Sequence, residues 1–358
     1  MTYPLLRVHL NRIKENGQRI IKKCNENGID AWAVSKGISA FNEIARTYKE
    51  AGFRTICDSR LLNIHSMQKG VEKLQYALIR VPMRSELVEA ISTCEYSLVS
   101  DIGTIIKMSE LCDTLHIEHK IIIMFDMGDL REGFLYSDID EIAECITELS
   151  SKLQVVGVGA NFSCASGVLP MPENIQNLVN ARDTLKEKTG LELSLISGGG
   201  SCSYVQLCKG ELNKAVNSLR IGEALLLGRD MAFAVDIDGL HQNTMEIEAE
   251  LAEIRVKPTM PKGKIGHDAF GNIPVFKDRG DRKKGILCIG KQDVRIEGLT
   301  PLQEGVKIIT SSSDHMIVDL EDCPKEYKVG DILTFLPNYT AMLAASTSPY
   351  VTKIFEEN

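Results

Sequence analysis

The chain has no C-x-x-C pair among its ten cysteines, no G-x-G-x-x-G turn after its first apolar run, and no apolar stretch long enough to cross a bilayer. Thiols scattered in this way through presumed strands and helices read as reduced cysteines, not as a disulfide frame or a zinc site. Of the seven histidines only His116 and His119 are close, and no cluster completes a ligand set, so no metal is expected. A basic excess is missing as well. The net charge of -8 and a pI near 5.5 give no electrostatic footprint for nucleic acid and argue against an anionic membrane surface. Met1-Thr2-Tyr3-Pro4 lacks the charged-then-apolar pattern of a signal peptide, and the expected location is cytoplasmic.

What is present is the composition of a globular protein, 44% hydrophobic and 25% charged over 358 residues. That length calls for one large domain and a smaller one. Short apolar runs at 29–34, 55–57, 77–81, 96–99, 120–125, 155–159, 193–196 and 218–221 read as strands. They alternate with helical periods at 41–51, 60–69, 85–91, 103–115, 139–152, 173–187 and 204–215. Eight strands separated by helices predict an α/β fold, a closed (β/α)8 TIM barrel over residues 1–235, preceded by a helix at 11–24. A doubly wound open sheet is the alternative. After Asp230 the texture changes to alternating runs at 246–256, 285–289, 306–310, 316–319 and 332–336, separated by Gly, Pro, Asp and Lys turns. This predicts a C-terminal β domain over 236–358, with a long loop at 263–280.

The working surface of such a barrel is the C-terminal ends of its strands. Ile29-Asp30-Ala31-Trp32-Ala33-Val34-Ser35-Lys36 delivers a lysine to the first of these ends. A buried ammonium group is costly unless paired or deprotonated, and a deprotonated lysine is a nucleophilic amine. Lys36 is therefore either a Schiff-base lysine or a side chain that snorkels into solvent. The fifth end carries Asp126-Met127-Gly128-Asp129-Leu130-Arg131-Glu132-Gly133, where Arg131 is a bidentate carboxylate clamp or part of a solvated, salt-bridged loop. The sixth carries small polar residues, Asn161 among them. Cys164 is there either a nucleophile or a packed thiol, and with no activating neighbour in the sequence the packed thiol is the favoured reading.

The seventh end, Leu195-Ile196-Ser197-Gly198-Gly199-Gly200-Ser201-Cys202-Ser203, gives the strongest local signal. Three consecutive glycines between a strand and a helix let backbone N–H groups approach an anion, and Ser201 and Ser203 add hydroxyls. A flexible glycine turn is the alternative. At the eighth end, Ser218-Leu219-Arg220-Ile221-Gly222-Glu223 sets an arginine in an apolar run. It must meet an acceptor, either a structural carboxylate or a ligand atom. A phosphate cradle, a buried lysine and a strand-embedded arginine together describe a pyridoxal 5'-phosphate site.

With these pieces in order, the chain resembles the alanine racemase type of pyridoxal-phosphate enzyme, and more narrowly the branch containing ornithine racemase. The matching segments are Ala33-Val34-Ser35-Lys36, Asp126-x-Gly128-x-x-Arg131-x-Gly133, Ser197 to Ser203 and Leu219-Arg220-Ile221-Gly222-Glu223. In the β domain they are Ile289-Gly290-Lys291-Gln292-Asp293, Ser312-Ser313-Asp314-His315 and Thr347-Ser348-Pro349-Tyr350-Val351. The resemblance implies an amino acid racemase acting on ornithine or a similar basic amino acid. It implies that Lys36 carries the cofactor and acts as base on one face, and that Arg131 takes the substrate carboxylate. Arg220 would face the pyridine nitrogen, and Asn161, Ser197, Gly199, Ser201, Gly222, Glu223 and Tyr350 would line the cofactor. For Tyr350, packing at the C-terminal edge is the competing role.

A racemase needs a second acid-base group on the opposite face. In alanine racemases it is a tyrosine from the partner subunit, and this chain has Lys291 in its place. Asp314 and His315 are the candidate replacements. Asp314 could instead pair with the distal ammonium of ornithine, and a plain β-turn role is open for both. The resemblance further implies a homodimer with shared active sites. Two rivals stand beside the racemase. A basic amino acid decarboxylase should carry a cysteine-aspartate motif that Asp322-Cys323-Pro324 matches poorly, and a non-catalytic pyridoxal-phosphate carrier has no use for the β domain.

Overall fold

The computed structural model describes residues 2–357, and these form two compact units. One is Leu10–Gln242; the other comprises the residues up to His9 together with those from Asn243 onward.

In chain order, β1 (Leu5–His9) belongs to the second unit and α1 (Leu10–Asn25) opens the first. The barrel then runs β2 (Asp30–Val34), α2 (Asn42–Ala51), β3 (Thr55–Asp58), α3 (Leu61–Gly70), β4 (Gln75–Leu78), α4 (Leu87–Thr93) and β5 (Tyr96–Val99). It continues with α5 (Ile102–Leu115), β6 (His119–Met124), α6 (Ile139–Thr147), β7 (Leu153–Gly159), α7 (Pro172–Thr189), β8 (Leu195–Ser197), α8 (Ser201–Lys209) and β9 (Ser218–Ile221). Strands β2 to β9 close into a parallel barrel, β9 returning to β2 with Trp32 opposite Arg220. These strands are short and β-branched or aromatic, and their interior positions pack Trp32, Val34, Cys57, Leu98, Ile122 and Met124 into one core. Each fully buried large side chain there contributes about 1.5–3 kcal/mol. A short helix α9 (Glu223–Leu227) and a two-residue ladder of β10 (Arg229–Asp230) with β11 (Val235–Asp236) finish the unit.

The α/β barrel and the β domain after it are as expected, but three boundaries are not. The unit ends at 242, seven residues beyond the expected 235, because the β10–β11 ladder and the bonds of His241 to Asn16 and of Gln242 to Gly228 hold this stretch to the barrel. The helix expected at 204–215 is α8, which starts at Ser201 directly after the glycines and stops where Gly210 takes φ +75°. Residues 5–9 belong to the other unit altogether, paired with strands about 240 and 345 residues away.

That second unit is a largely antiparallel sheet of β12 (Met245–Pro258), β13 (Asp281–Leu287), β14 (Leu299–Pro301), β15 (Lys307–Ser311), β16 (Met316–Asp319) and β17 (Ile332–Pro337), with β1 and β18 (Thr352–Glu356) attached. Helix α10 (Tyr339–Thr347) lies between β17 and β18. A register shift between Leu251 and Glu253 lets the first half of β12 pair with β1 and β17 and the second half with β13. Arg7 in β1 is held from both neighbours, by Glu248 at 2.7 Å and by Glu356. No described helix is long and apolar enough to cross a membrane.

Candidate active site

Lys36 stands one residue past the buried Ser35 at the tip of β2 and begins a single helical turn. The tip is fixed. Ser35 donates its N–H to Cys57 O at 3.0 Å and its hydroxyl to Asp58 Oδ2 at 2.6 Å, across the β2–β3 pair. Asp58 is fully buried and also accepts from the Arg60 amide and Asn63 Nδ2. Burial pushes its carboxyl upward against the pull of those donors. Among the described residues the Lys36 ammonium has no ion-pair partner, so the side chain leaves an anchored strand end uncommitted.

One strand away, Arg220 is 5% exposed. Its guanidinium donates to Ser197 Oγ, to Ala160 O at 2.7 Å and to Asn161 Oδ1 at 2.9 Å. Burial pulls its pKa below the ordinary arginine value, because the acceptors it touches are neutral. Three of its five N–H groups are used; two remain.

Arg131 follows β6 and is held side-on by its neighbour. Nε and Nη2 both donate to the Glu132 carboxylate, Nη2 at 2.6 Å. Burial raises the Glu132 pKa, yet the bonds from Arg131 and Asn161 Nδ2 outweigh it and hold the carboxyl below its usual range. Of the two readings of Arg131, the salt-bridged loop is observed, and the pairing uses only Nε and one Nη2 hydrogen of the guanidinium.

The triple-glycine turn lies between β8 and α8. Gly199 has φ +104°, and a Cβ there would meet Ser203 Oγ at 2.7 Å; at Gly200 it would meet Arg220 O at 2.9 Å. The turn is drawn tight against β9; the Ser203 and Tyr204 amides both bond Gly200 O at 3.1 Å, so the amides the helix start offers to an anion are those of Ser201 and Cys202. Ser201 Oγ accepts the Ala224 N–H at 3.0 Å, which leaves its own proton free to donate. Gly222 packs against Val34 and caps α9. This donor set, amides and a hydroxyl beside an uncommitted amine and a buried guanidinium, fits an aromatic aldehyde carrying a phosphate.

Several expectations change. Ser197 is fully buried and its Oγ accepts from Arg220, a partner the sequence did not indicate. Asn161 bridges Glu132 and Arg220. Glu223 contributes a side chain of its own: burial pushes its carboxyl up to about 7, and while Oε2 accepts the Met231 amide at 3.2 Å, Oε1 is buried without a partner among the described residues. Cys164 is exposed instead of packed. Tyr350, for which cofactor contact and edge packing were both open, is 66% exposed, its amide bonded to Ser348 Oγ.

Asp314, His315, Lys291 and Tyr350 belong to the β unit. His315 Nδ1 meets Asp314 Oδ1 at 3.0 Å in the exposed turn between β15 and β16, a contact that holds the Asp314 carboxyl below its usual range. The Lys291 and Gln292 amides bond the carbonyls of Ser312 and Ser313, so the two loops lie side by side. The Lys291 ammonium sits 4.0 Å over the Phe270 ring. Sequence reasoning passed over Glu132, although a carboxylate directly after the clamp arginine was a signal it could have used.

A family model described as alanine racemase, N-terminal domain, matches residues 8–230. A lysine racemase of Thermotoga maritima is 38% identical over 99% of both chains, and an ornithine racemase of Acetoanaerobium sticklandii is 36% identical over 98% of this chain and 99% of its own. Among solved structures, alanine racemase from Bartonella henselae, described with covalently bound pyridoxal phosphate, aligns at TM-score 0.76 and 16% identity, covering 99% of this chain and 100% of that one.

Proposed function

The chain belongs to the alanine racemase family, and from that premise we propose that it is a pyridoxal 5'-phosphate-dependent racemase interconverting L- and D-ornithine, with lysine as the second substrate to test. The observation that carries this reading is the pairing of an uncommitted Lys36 with a buried Arg220 on adjacent barrel strands, beside an amide-rich turn.

When bound, the cofactor supplies the electron sink that loosens the substrate's Cα proton. Lys36 carries the cofactor and, once its amine is free, takes or returns that proton on one face. Arg131 holds the substrate carboxylate through the Nη1–Nη2 edge that Glu132 leaves open, so that the Cα–H bond and not the carboxylate stands across the reacting plane. Arg220 would set a guanidinium, in place of a carboxylate, toward the ring of the bound cofactor, which would weaken the electron sink and favour return of the proton over transamination. The turn from Gly199 to Ser201, with Gly222, would hold the phosphate.

His315 is the first candidate for the acid-base group of the opposite face, oriented by Asp314, and Asp314 is the candidate for reading the distal ammonium. Both would come from the second copy of a homodimer with shared sites, as would Tyr350 against the phosphate. A decarboxylase is the weaker reading, since Asp322 is committed to Arg282 at 2.8 Å and Lys307 at 2.7 Å. Incubation with L-ornithine and with L-lysine, followed by chiral chromatography, tests the proposal. D-enantiomer is expected, from ornithine faster than from lysine; putrescine and carbon dioxide would reject it.

A further inference from the structure

Glu132 receives two donors that lead to two different arginines. Oε2 accepts from Arg131 Nε, and Oε1 accepts both Arg131 Nη2 at 2.6 Å and Asn161 Nδ2. The same Asn161 turns its Oδ1 to Arg220 Nη2 at 2.9 Å. Chemistry fixes that amide's orientation: a carboxylate only accepts and a guanidinium only donates, so nitrogen must face Glu132 and oxygen must face Arg220. Arg220's other acceptors, Ser197 Oγ and Ala160 O, are neutral. Glu132 is thus the carboxylate that reaches it, through one amide.

We propose that Glu132 is a positioning residue that sets both guanidiniums of the site, Arg131 directly and Arg220 through Asn161. The inference rests on the reading that Arg131 takes the substrate carboxylate and Arg220 faces the cofactor ring. Three physical consequences follow. Side-on pairing with Glu132 locks the Arg131 fork and turns its free edge, with three N–H groups, toward a second carboxylate. Glu132 also cancels one of the two guanidinium charges, so that the linked Arg131–Arg220 pair presents one net positive unit and not two. The bridge also ties a residue from the loop after β6 to one in β9 through Asn161 after β7, so that displacing Glu132 moves both arginines together.

The test uses the full chain loaded with pyridoxal phosphate, comparing wild type with Glu132→Gln and Asn161→Ala. Melting temperature establishes that each variant is folded. Steady-state kinetics with ornithine give KM and kcat separately, and the visible spectrum of bound cofactor together with its dissociation constant reports on Arg220 without turnover. Glu132→Gln should raise KM by about tenfold or more, as expected when the charged partner that orients a clamp is lost. It should also shift the cofactor band. Asn161→Ala should shift the band and raise KM less than Glu132→Gln does, because Arg131 keeps its direct pair with Glu132. The double variant should shift it no further than the larger single change, because both act on one path.

A folded Glu132→Gln with unchanged KM or an unchanged band overturns the proposal. So does a folded Asn161→Ala whose band matches wild type, and that variant decides the matter if Glu132→Gln does not fold. Failure of the substrate assignment is distinguishable. A wild-type protein that keeps its cofactor but racemises neither ornithine nor lysine removes the proposed reaction, while the two band shifts still report on the bridge.

Discussion

Replacing Gly199 by alanine puts a methyl group into the tightest part of the proposed phosphate turn. The glycine has φ +104°, where an L side chain is strained by about 1–3 kcal/mol. The new Cβ would stand 2.7 Å from Ser203 Oγ and 3.0 Å from Phe162 Cδ2. Neither neighbour can swing into solvent, since Ser203 is fully buried and Phe162 4% exposed. The Ser203 hydroxyl donates to Gly198 O at 2.6 Å, and breaking that buried bond costs about another 1–3 kcal/mol. A turn that held its shape would thus be about 2–6 kcal/mol worse. It is expected to open instead, carrying its amides away from the anion. Losing one amide contact to a charged group costs about 1.5–3 kcal/mol, or roughly a tenfold to hundredfold rise in the cofactor dissociation constant. The assay is a spectroscopic titration with pyridoxal 5'-phosphate and, in parallel, with phosphate-free pyridoxal. Only the phosphorylated form should lose affinity; pyridoxal should stay within about twofold of wild type. Equal losses for both, or wild-type affinity for the phosphate form, would refute the cradle.

Three further outcomes are expected. Lys36→Ala should still bind cofactor reversibly through the phosphate turn but lose the covalent attachment, so that borohydride treatment leaves no added mass on the chain; a labelled chain would show that another residue holds it. Asp314→Asn should lose more activity with ornithine than with alanine, and equal losses would assign Asp314 a general role in place of ammonium recognition. Glu223 titrates at about 7 in the fold against an ordinary 4.5. The native state therefore binds more protons than the unfolded chain across that interval. The stabilisation is complete below 4.5, declines as pH rises, and is gone above about 7, a loss on the order of 3 kcal/mol. Melting temperature of the cofactor-free protein followed from pH 4.5 to 7 should fall more steeply for wild type than for Glu223→Gln; parallel curves would exclude the effect.

The barrel could be read from the chain because its signals are local. A parallel strand buried on both faces is a short apolar run, the helix after it shows its own period, and eight repeats admit few architectures. Lys36, Arg220 and the glycine turn could be read for the same reason: a cation or a flexible turn at the end of an apolar run is anomalous within a few residues. The failures are of another kind. Strand β1 is five residues followed at once by α1, with no turn signal between them. Its identity is set by ladders to β12 and β18, which no local window contains. Ser197 was read together with the glycines it adjoins, and what no local window contains is its partner, an arginine 23 residues later. Strand alternation sends neighbours to opposite sides, and which side faces the ligand is a property of the closed barrel.

The two readings of Arg131, substrate clamp or loop salt bridge, looked exclusive only because each residue was considered with one partner. A guanidinium has five N–H donors in a rigid plane, and a carboxylate engages at most two of them side-on. Glu132 takes Nε and one Nη2 hydrogen, leaving the end-on edge complete. The ion pair is then what makes a clamp possible: a free arginine on an exposed loop would lose several rotatable bonds' worth of entropy on meeting a substrate, whereas one already locked by its neighbour loses far less. Arg220 follows the same logic in a harsher setting. At 5% exposure with neutral acceptors it is an expensive group to bury, and a net-charge argument alone would call for a carboxylate in contact. An amide intervenes instead, which orients the guanidinium without neutralising it and leaves two of its five donors unused.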